Sequence, residues 1–294
     1  MRSEAEQRDD QLKPGIVWLA SYPRSGNTWT RNFLHNLFRV LDRKELVPQD
    51  INALGEYTLW DVAGRRFEQF LGKPLNVASR SEIAAIRIKV QQQIADDADA
   101  AVFVKTHNAL VLDRGHPTIN MGATSGAIYI VRNPLDVVIS FAHHFGVDLD
   151  AAIDKMGQRG LETDITEHAA YEVYGSWSEN VMSWTRKPHR AIYVMRYEDM
   201  LERPLEIFRG LCRHLLLDPT EAQLARAVEL SSFEQAKTQE AEKGYRERPN
   251  QSKVFFRTGQ AGQWRQQLSH EQIRRIVTEH REQMARFGYL PEGL

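Results

Sequence analysis

The stretch Ile16 to Trp29, IVWLASYPRSGNTW, leaves this chain few ways to fold. Ile16, Val17, Trp18 and Leu19 form an apolar run rich in β-branched and aromatic residues, and it breaks at Pro23 and Gly26. An amphipathic pattern follows, with Trp29, Phe33 and Leu37 on one face. In a strand, tight turn and helix of this order, the N–H groups of the turn and the unpaired donors of the helix N-terminus converge on one spot, which suits an anion. Arg24, Ser25, Asn27 and Thr28 add side-chain donors to it. An ordinary structural turn fits the same pattern, so the choice depends on what the rest of the chain supplies.

Strand-like and helix-like stretches alternate along the sequence, the sign of a parallel sheet covered by helices, and so of an α/β fold. A second strand, Ala101 to Lys105, runs into Thr106, His107 and Asn108. In an open parallel sheet ligands bind at the carboxyl ends of strands, which places Lys105 and His107 where chemistry belongs. His107 is one of ten histidines, singled out by that position beside a lysine. A third strand, Ala127 to Val131, ends in Arg132, Asn133 and Pro134, and Pro134 suits the opening of a helix that carries Ser140. Taken alone, Arg132 reads as an ion-pair partner of Asp136 and Ser140 as a solvated serine. A fourth strand, Ala191 to Arg196, leads to Tyr197, Glu198 and Asp199.

Between these strands, Leu46 to Ser79 is mixed, and its aromatics Tyr57, Trp60, Phe67 and Phe70 either line a pocket or pack under a long loop. Ser81 to Ala98 has the helical period of a scaffold helix. Phe145 to Thr166 reads as a lid or substrate loop, and His168 to Arg186 as a helix whose core stripe is Tyr171, Tyr174, Trp177, Val181 and Trp184. Pro204 opens another helix, and Thr220 to Leu230 makes one more. Ser231 to Trp264 has no evident period, although Gly259 and Gly262 after Arg257 allow the backbone to close on an anion. Ser269, with Gln272 three residues on, starts a last helix that buries Ile273, Ile276, Val277 and Met284.

A formal charge of −1 exerts no global pull towards nucleic acid or anionic membrane, so any anion site is local. The single cysteine, Cys212, cannot form an intramolecular disulfide and lies among apolar helix residues, which predicts a buried structural thiol. Residues 1–14 are polar and charged and read as a flexible lead without a targeting segment, followed by one domain over 15–294. No apolar run reaches membrane-spanning length, so the expected setting is cytoplasmic.

Among phosphate-binding signatures, the nucleoside triphosphatase P-loop requires Gly, four residues and then Gly-Lys-Ser/Thr. Here Asn27 follows Gly26, and Ser21 occupies the place of the earlier glycine. For a Mg²⁺-holding carboxylate only Asp199 offers itself. The pieces instead resemble the sulfotransferases that use 3′-phosphoadenosine 5′-phosphosulfate (PAPS). Tyr22 to Trp29 is similar to their Y-P-K-S-G-T-T-W loop, and Lys105-Thr106-His107 to their K-T-H segment. Arg132-Asn133-Pro134 through Ser140 resembles the 3′-phosphate segment, and Tyr197 to Met200 the Y-E-D-M. Ser231-Ser232-Phe233 is similar to T-S-F, and Arg257 to Trp264 to R-K-G-x-x-G-D-W. Six matches fall in the family's order.

The resemblance implies a single α/β domain with a central parallel sheet flanked by helices and a P-loop-like phosphosulfate-binding turn after the first strand. It implies that Arg24, Ser25, Gly26, Asn27 and Thr28 grip the 5′-phosphosulfate, and that Trp29 stacks on adenine. Arg132, Ser140, Arg257, Thr258 and Gly259 would hold the 3′-phosphate, with Tyr197, Ser231 and Phe233 around the base. His107 would act as general base, with Lys105, Arg24 and Ser140 at the reacting group. PAP would be the product, no metal would be needed, and the acceptor would be a hydroxyl or amine of a small molecule, glycan or natural product. Departures from the pattern are Arg24 for Lys, Asn27 for Thr, Thr258 for Lys and Gln263 for Asp. The K-x-x-x-T-V-x-x-x-E dimerisation pattern of animal cytosolic members is not recognisable after Trp264. A nucleotide or nucleoside kinase would share the turn but favour Mg²⁺ and ATP. A non-catalytic nucleotide-binding protein would keep the turn without needing Lys105 and His107.

Overall fold

The computed structural model describes residues 14–43, 47–249 and 251–293. Apart from Pro14, the expected N-terminal lead lies outside these residues, as does Leu46. Five parallel strands form the central sheet: β1 (Gly15–Ser21), β2 (Thr58–Trp60), β3 (Ala101–Thr106), β4 (Thr124–Val131) and β5 (Ile192–Arg196), in the spatial order β2-β3-β1-β4-β5. β1 is central because all seven of its residues are buried, as an apolar run in a parallel sheet must be. Its side chains divide by the two-residue period of a strand. Ile16, Trp18 and Ala20 enter one core, while Val17 and Leu19 enter the other. The Trp18 indole N–H is satisfied by Thr124 Oγ1 at 2.8 Å.

Helix α1 (Asn27–Leu41) leaves the turn after β1 and packs Phe33 and Leu37 into the second core. Gly26 precedes it at φ 109°, where a Cβ would stand 2.7 Å from Tyr197 Cδ2, so close approach and left-handed backbone both require glycine. Helices α2 (Gly64–Leu71) and α3 (Arg80–Asp96) follow β2, and α3 opens with a reciprocal cap between Ser79 and Glu82. Pro134 opens α4 (Pro134–Phe145) after β4, with Asn133 as its cap. Next come α5 (Leu149–Gly157), α6 (Trp177–Thr185), α7 (Tyr197–Glu202), α8 (Pro204–His214), α9 (Glu221–Leu230), α10 (Phe233–Lys243) and α11 (His270–Arg286). The Ser269–Gln272 cap of α11 and its buried Ile273, Ile276, Val277 and Met284 are as expected, and Cys212 is buried on α8.

Four expectations change. The mixed segment before Ser79 holds the edge strand β2 and helix α2; Phe67 joins the core while Tyr57, Trp60 and Phe70 keep exposed surface. Phe145 to Thr166 is not a loop throughout, because Ala152, Ile153 and Met156 bury one face of α5, which packs against α11. The helix expected from His168 starts only at Trp177. Tyr171 and Tyr174 reach the core from an extended segment whose bridges join Ala169 to Ala63 and Val173 to Glu162. Within Ser231 to Trp264, α10 is regular. Among the described residues no helix is long and apolar enough to cross a membrane.

Candidate active site

The carboxyl ends of β1, β3 and β4 open into a cavity of about 990 Å³. Its wall brings together the turn after β1, Lys105 and His107 after β3, Arg132 and Ser140 after β4, Tyr197 after β5, and Ser231, Phe233, Arg257, Thr258 and Gly259. Residues far apart in sequence thus face one space, as the crevice of a parallel sheet allows.

Arg24 is held in a left-handed conformation, φ 69°, which turns its side chain across the turn. Its Nε donates to Ser140 Oγ at 3.0 Å, and its guanidinium lies 4.2 Å above the Phe255 ring. Burial first, then the neighbouring Arg132 charge, lowers its pKa to about 10. It stays charged near neutrality and cannot serve as a proton donor there. Ser25 is fully buried and its hydroxyl has no partner. The Asn27 side-chain N–H groups point back to Leu19 O at 2.8 Å and Ser21 Oγ at 3.4 Å and fasten the turn to β1, while Asn27 still lines the cavity. The backbone N–H groups of the helix start have no partner within the helix.

Arg132 does not pair with Asp136. Its Nη1 and Nη2 donate to Arg24 O and Gln260 O, both at 3.1 Å, while its buried Nε has no partner. The Asp136 carboxylate instead accepts N–H bonds from Gly262 at 2.7 Å and Trp264 at 3.2 Å, fixing the segment that carries Arg257 to Gly259. Arg257 donates to Gln263 Oε1 at 2.9 Å, and Gln263 Nε2 donates to Thr258 Oγ1 at 2.8 Å. The glutamine that replaces the family's aspartate therefore organises both neighbours. A Cβ on Gly259 would meet Phe233 Cγ at 2.4 Å, so the glycine lets backbone and ring touch.

Trp29 stands edge-on to Tyr197 and Phe208, at 5.9 and 5.7 Å between ring centres, with its indole N–H buried and unpartnered. Tyr197 in turn lies 4.2 Å beneath the Arg132 guanidinium. Ser231 lines the cavity, but its hydroxyl donates to Ala227 O at 2.8 Å and so closes α9.

His107 has a defined tautomer. Its Nδ1 lies 2.8 Å from the Ser21 carbonyl, which can only accept, so Nδ1 carries the proton and Nε2 keeps a lone pair. Burial, with Lys105, His144 and Arg24 adding to it, pushes its pKa well below the usual imidazole value, so the ring is neutral near pH 7. The backbone on either side is tied down: His107 N donates to Glu172 Oε1 at 3.0 Å, and Asn180 Nδ2 donates to His107 O at 3.0 Å. Asp61 Oδ2 accepts from Thr106 Oγ1 at 2.8 Å and Asn108 Nδ2 at 2.9 Å. Lys105 Nζ lies 5.6 Å from the Trp60 ring centre.

Sequence reasoning missed several of these neighbours. Asp61, Glu172 and Asn180 anchor His107, and Phe255 supports Arg24. None carries a local signal, because each acquires its role from partners at least 45 residues away in the chain. His143, which is exposed, and His144, which is half-buried, both line the cavity.

A parallel sheet flanked by helices, with an arginine-bearing turn at its centre and a neutral histidine beside that turn, puts the chain in the α/β class with its candidate site at the carboxyl ends of the strands. The fold agrees with solved structures. Retinol dehydratase in complex with retinol and PAP superposes with a TM-score of 0.62 at 20% identity, covering 96% of this chain and 86% of that one. Mouse sulfotransferase SULT7A1 complexed with PAP gives 0.60 at 19% identity, covering 93% and 85%. Among relatives, dog Sulfotransferase 1A1 is 23% identical over 96% of this chain and 87% of its own length. Luciferin sulfotransferase of Photinus pyralis is 22% identical over 93% and 72%. The model of the Sulfotransferase domain family matches residues 14–288, and the chain belongs to that family.

Proposed function

We propose that the cavity binds PAPS and that the protein transfers its sulfuryl group to a hydroxyl or amine of a small-molecule acceptor, with His107 as general base. When bound, PAPS supplies an activated sulfuryl group on a phosphate leaving group. The cavity suits such a ligand: Trp29 Nε1 and Arg132 Nε on its wall and Ser25 Oγ in the adjoining turn are buried without partners, and Gly259 lets the Phe233 ring pack close against the backbone. Arg24, Ser25, Gly26 and Thr28 would face the 5′ end. Arg132, Ser140, Arg257, Thr258 and Gly259 would face the 3′-phosphate. Trp29, Tyr197, Ser231 and Phe233 would enclose the base.

The observation that carries the reading is the fixed tautomer of His107. Its free Nε2 can take the proton of an attacking hydroxyl, while Arg24 and Lys105 supply charge where the leaving phosphate gains it. Asn27 is proposed here as a fastener of the turn, its amide being committed to Leu19 O. The acceptor side is lined by Leu59, Trp60, Phe145, Tyr174 and Val254, which favours an acceptor with an apolar body. Retinol and androsterone, bound by retinol dehydratase, are of that kind. The test is an acceptor panel of phenols, apolar alcohols, amines and sugars incubated with PAPS and read by the mass gain of a sulfuryl group. Product with one of them supports the reading, while stabilisation by ATP with Mg²⁺ and not by PAP would favour a kinase.

A further inference from the structure

Two consecutive histidines near the end of α4 each accept a hydrogen bond from an arginine of the cavity. Arg257 Nη1 donates to His143 Nε2 at 2.9 Å, and Arg24 Nη1 donates to His144 Nδ1 at 3.3 Å. His143 is exposed, whereas His144 is half-buried and packs edge-on against Phe145 and Phe255. An arginine can only donate, so the Nδ1 facing Arg24 must be a lone pair and the His144 proton sits on Nε2. Burial, followed by the charges of Arg24 and Lys105, lowers the His144 pKa to about 3, which keeps that acceptor available at neutral pH.

The geometry around Arg24 accounts for its donors one by one. A guanidinium carries five N–H groups in a rigid plane. One goes to Ser140 Oγ, one to His144 Nδ1 and one to Phe255 O at 3.5 Å, and the Phe255 ring supports the face of the plane. Two N–H groups remain, the number needed for a two-pronged contact with an anion. A lysine in this position would present a point charge with freely turning donors, and its orientation would matter little. A planar fork is useful only when its plane is set.

We infer that His144 is a positioning residue for Arg24, fixing the guanidinium so that its two uncommitted N–H groups face the transferred group. The inference rests on the sulfuryl-transfer reading for its consequence in turnover, although the clamp itself exists without it. His144 thus acts through Arg24 and makes the departure from lysine workable in this chain.

A double-mutant cycle tests this. His144→Phe keeps an aromatic ring and removes the acceptor, His144→Gln restores an acceptor, and Arg24→Lys removes the fork. In the native background His144→Phe is expected to lower kcat roughly tenfold to a hundredfold, the effect of losing a hydrogen bond to a charged group, with the acceptor KM within about threefold. His144→Gln should recover part of the loss. In the Arg24→Lys background His144→Phe should change kcat by less than about threefold. Equal losses in both backgrounds, or a loss confined to acceptor KM, would overturn the inference. A second measurement is independent of turnover: hydrogen exchange of the Arg24 Nε–H, identified by its absence in Arg24→Lys, should be about tenfold faster in His144→Phe. Unchanged exchange overturns the clamp. Faster exchange in a protein that transfers no sulfuryl group would instead remove the functional reading and leave the clamp standing.

Discussion

Arg31 and Glu247 meet in a two-pronged ion pair, Nη1 to Oε2 at 2.8 Å and Nη2 to Oε1 at 2.7 Å, that joins α1 to the segment crossing the cavity. The same segment brings Tyr245, Phe255 and Phe256 onto Ile51 and Ala236, and Phe255 onto Arg24. One buried arginine on the helix after the turn therefore holds the wall that faces the turn.

Burial would raise the Glu247 carboxyl, but the Arg31 hydrogen bonds and charge outweigh it and hold the pKa down at about 2. A depressed folded-state pKa gives stability that is complete above the unfolded value of 4.5 and is lost as pH falls towards 2. Melting temperatures of the native protein and Glu247→Gln should therefore converge between pH 4.5 and 2 and differ above that window. Curves that run parallel throughout would remove the ion pair from the stability of this wall.

His35 on α1 is buried against Tyr57, with a hydrogen-bond partner on neither ring nitrogen. Burial first, then the charges of Arg31 and Arg39, lowers its pKa from 6.5 to about 4. The unfolded chain binds the proton more readily, so stability is full above pH 6.5 and declines as pH falls through that range to about 4. His35→Phe should flatten the decline between those two values, as followed by urea unfolding at a series of pH values.

Gly259→Ala would force a Cβ to within 2.4 Å of Phe233 and strain a backbone at φ 62°. The expected result is a PAP dissociation constant raised about tenfold or more with the fold intact, because displacement of the ring disturbs the nucleotide wall rather than the sheet. Isothermal titration with PAP, alongside a melting curve, checks both parts.

Much of this arrangement was legible in the sequence for identifiable reasons. The strand runs at Ile16 and Ala127 are apolar because the middle of a parallel sheet is buried on both faces, and those at Ala101 and Ala191 keep an apolar pattern although they are only partly buried. Pro134, Pro204 and the Ser269–Gln272 cap mark helix starts with side chains that act locally. Where the role depends on distant partners, the local pattern misleads. Tyr171 and Tyr174 continue the spacing of Trp177, Val181 and Trp184, yet they enter the core from an extended segment. The inner face of α10 is Ala236, Gln239 and Glu240, which gives no apolar period. Glu240 is buried because its carboxylate accepts the N–H groups of Phe255 and Phe256, both at 2.8 Å. Arg132 and Asp136 suggested each other by proximity in sequence, but each is committed to the Gln260–Trp264 segment.

In the proposed reaction His107 removes the acceptor proton during sulfuryl transfer. The most direct measurement compares native protein with His107→Ala, using PAPS and a responsive acceptor for turnover and PAP for binding. The expected result is a fall in kcat of about a hundredfold to ten-thousandfold, the range for loss of a general base, with PAP affinity nearly unchanged. A variant that retains most of its turnover would contradict it.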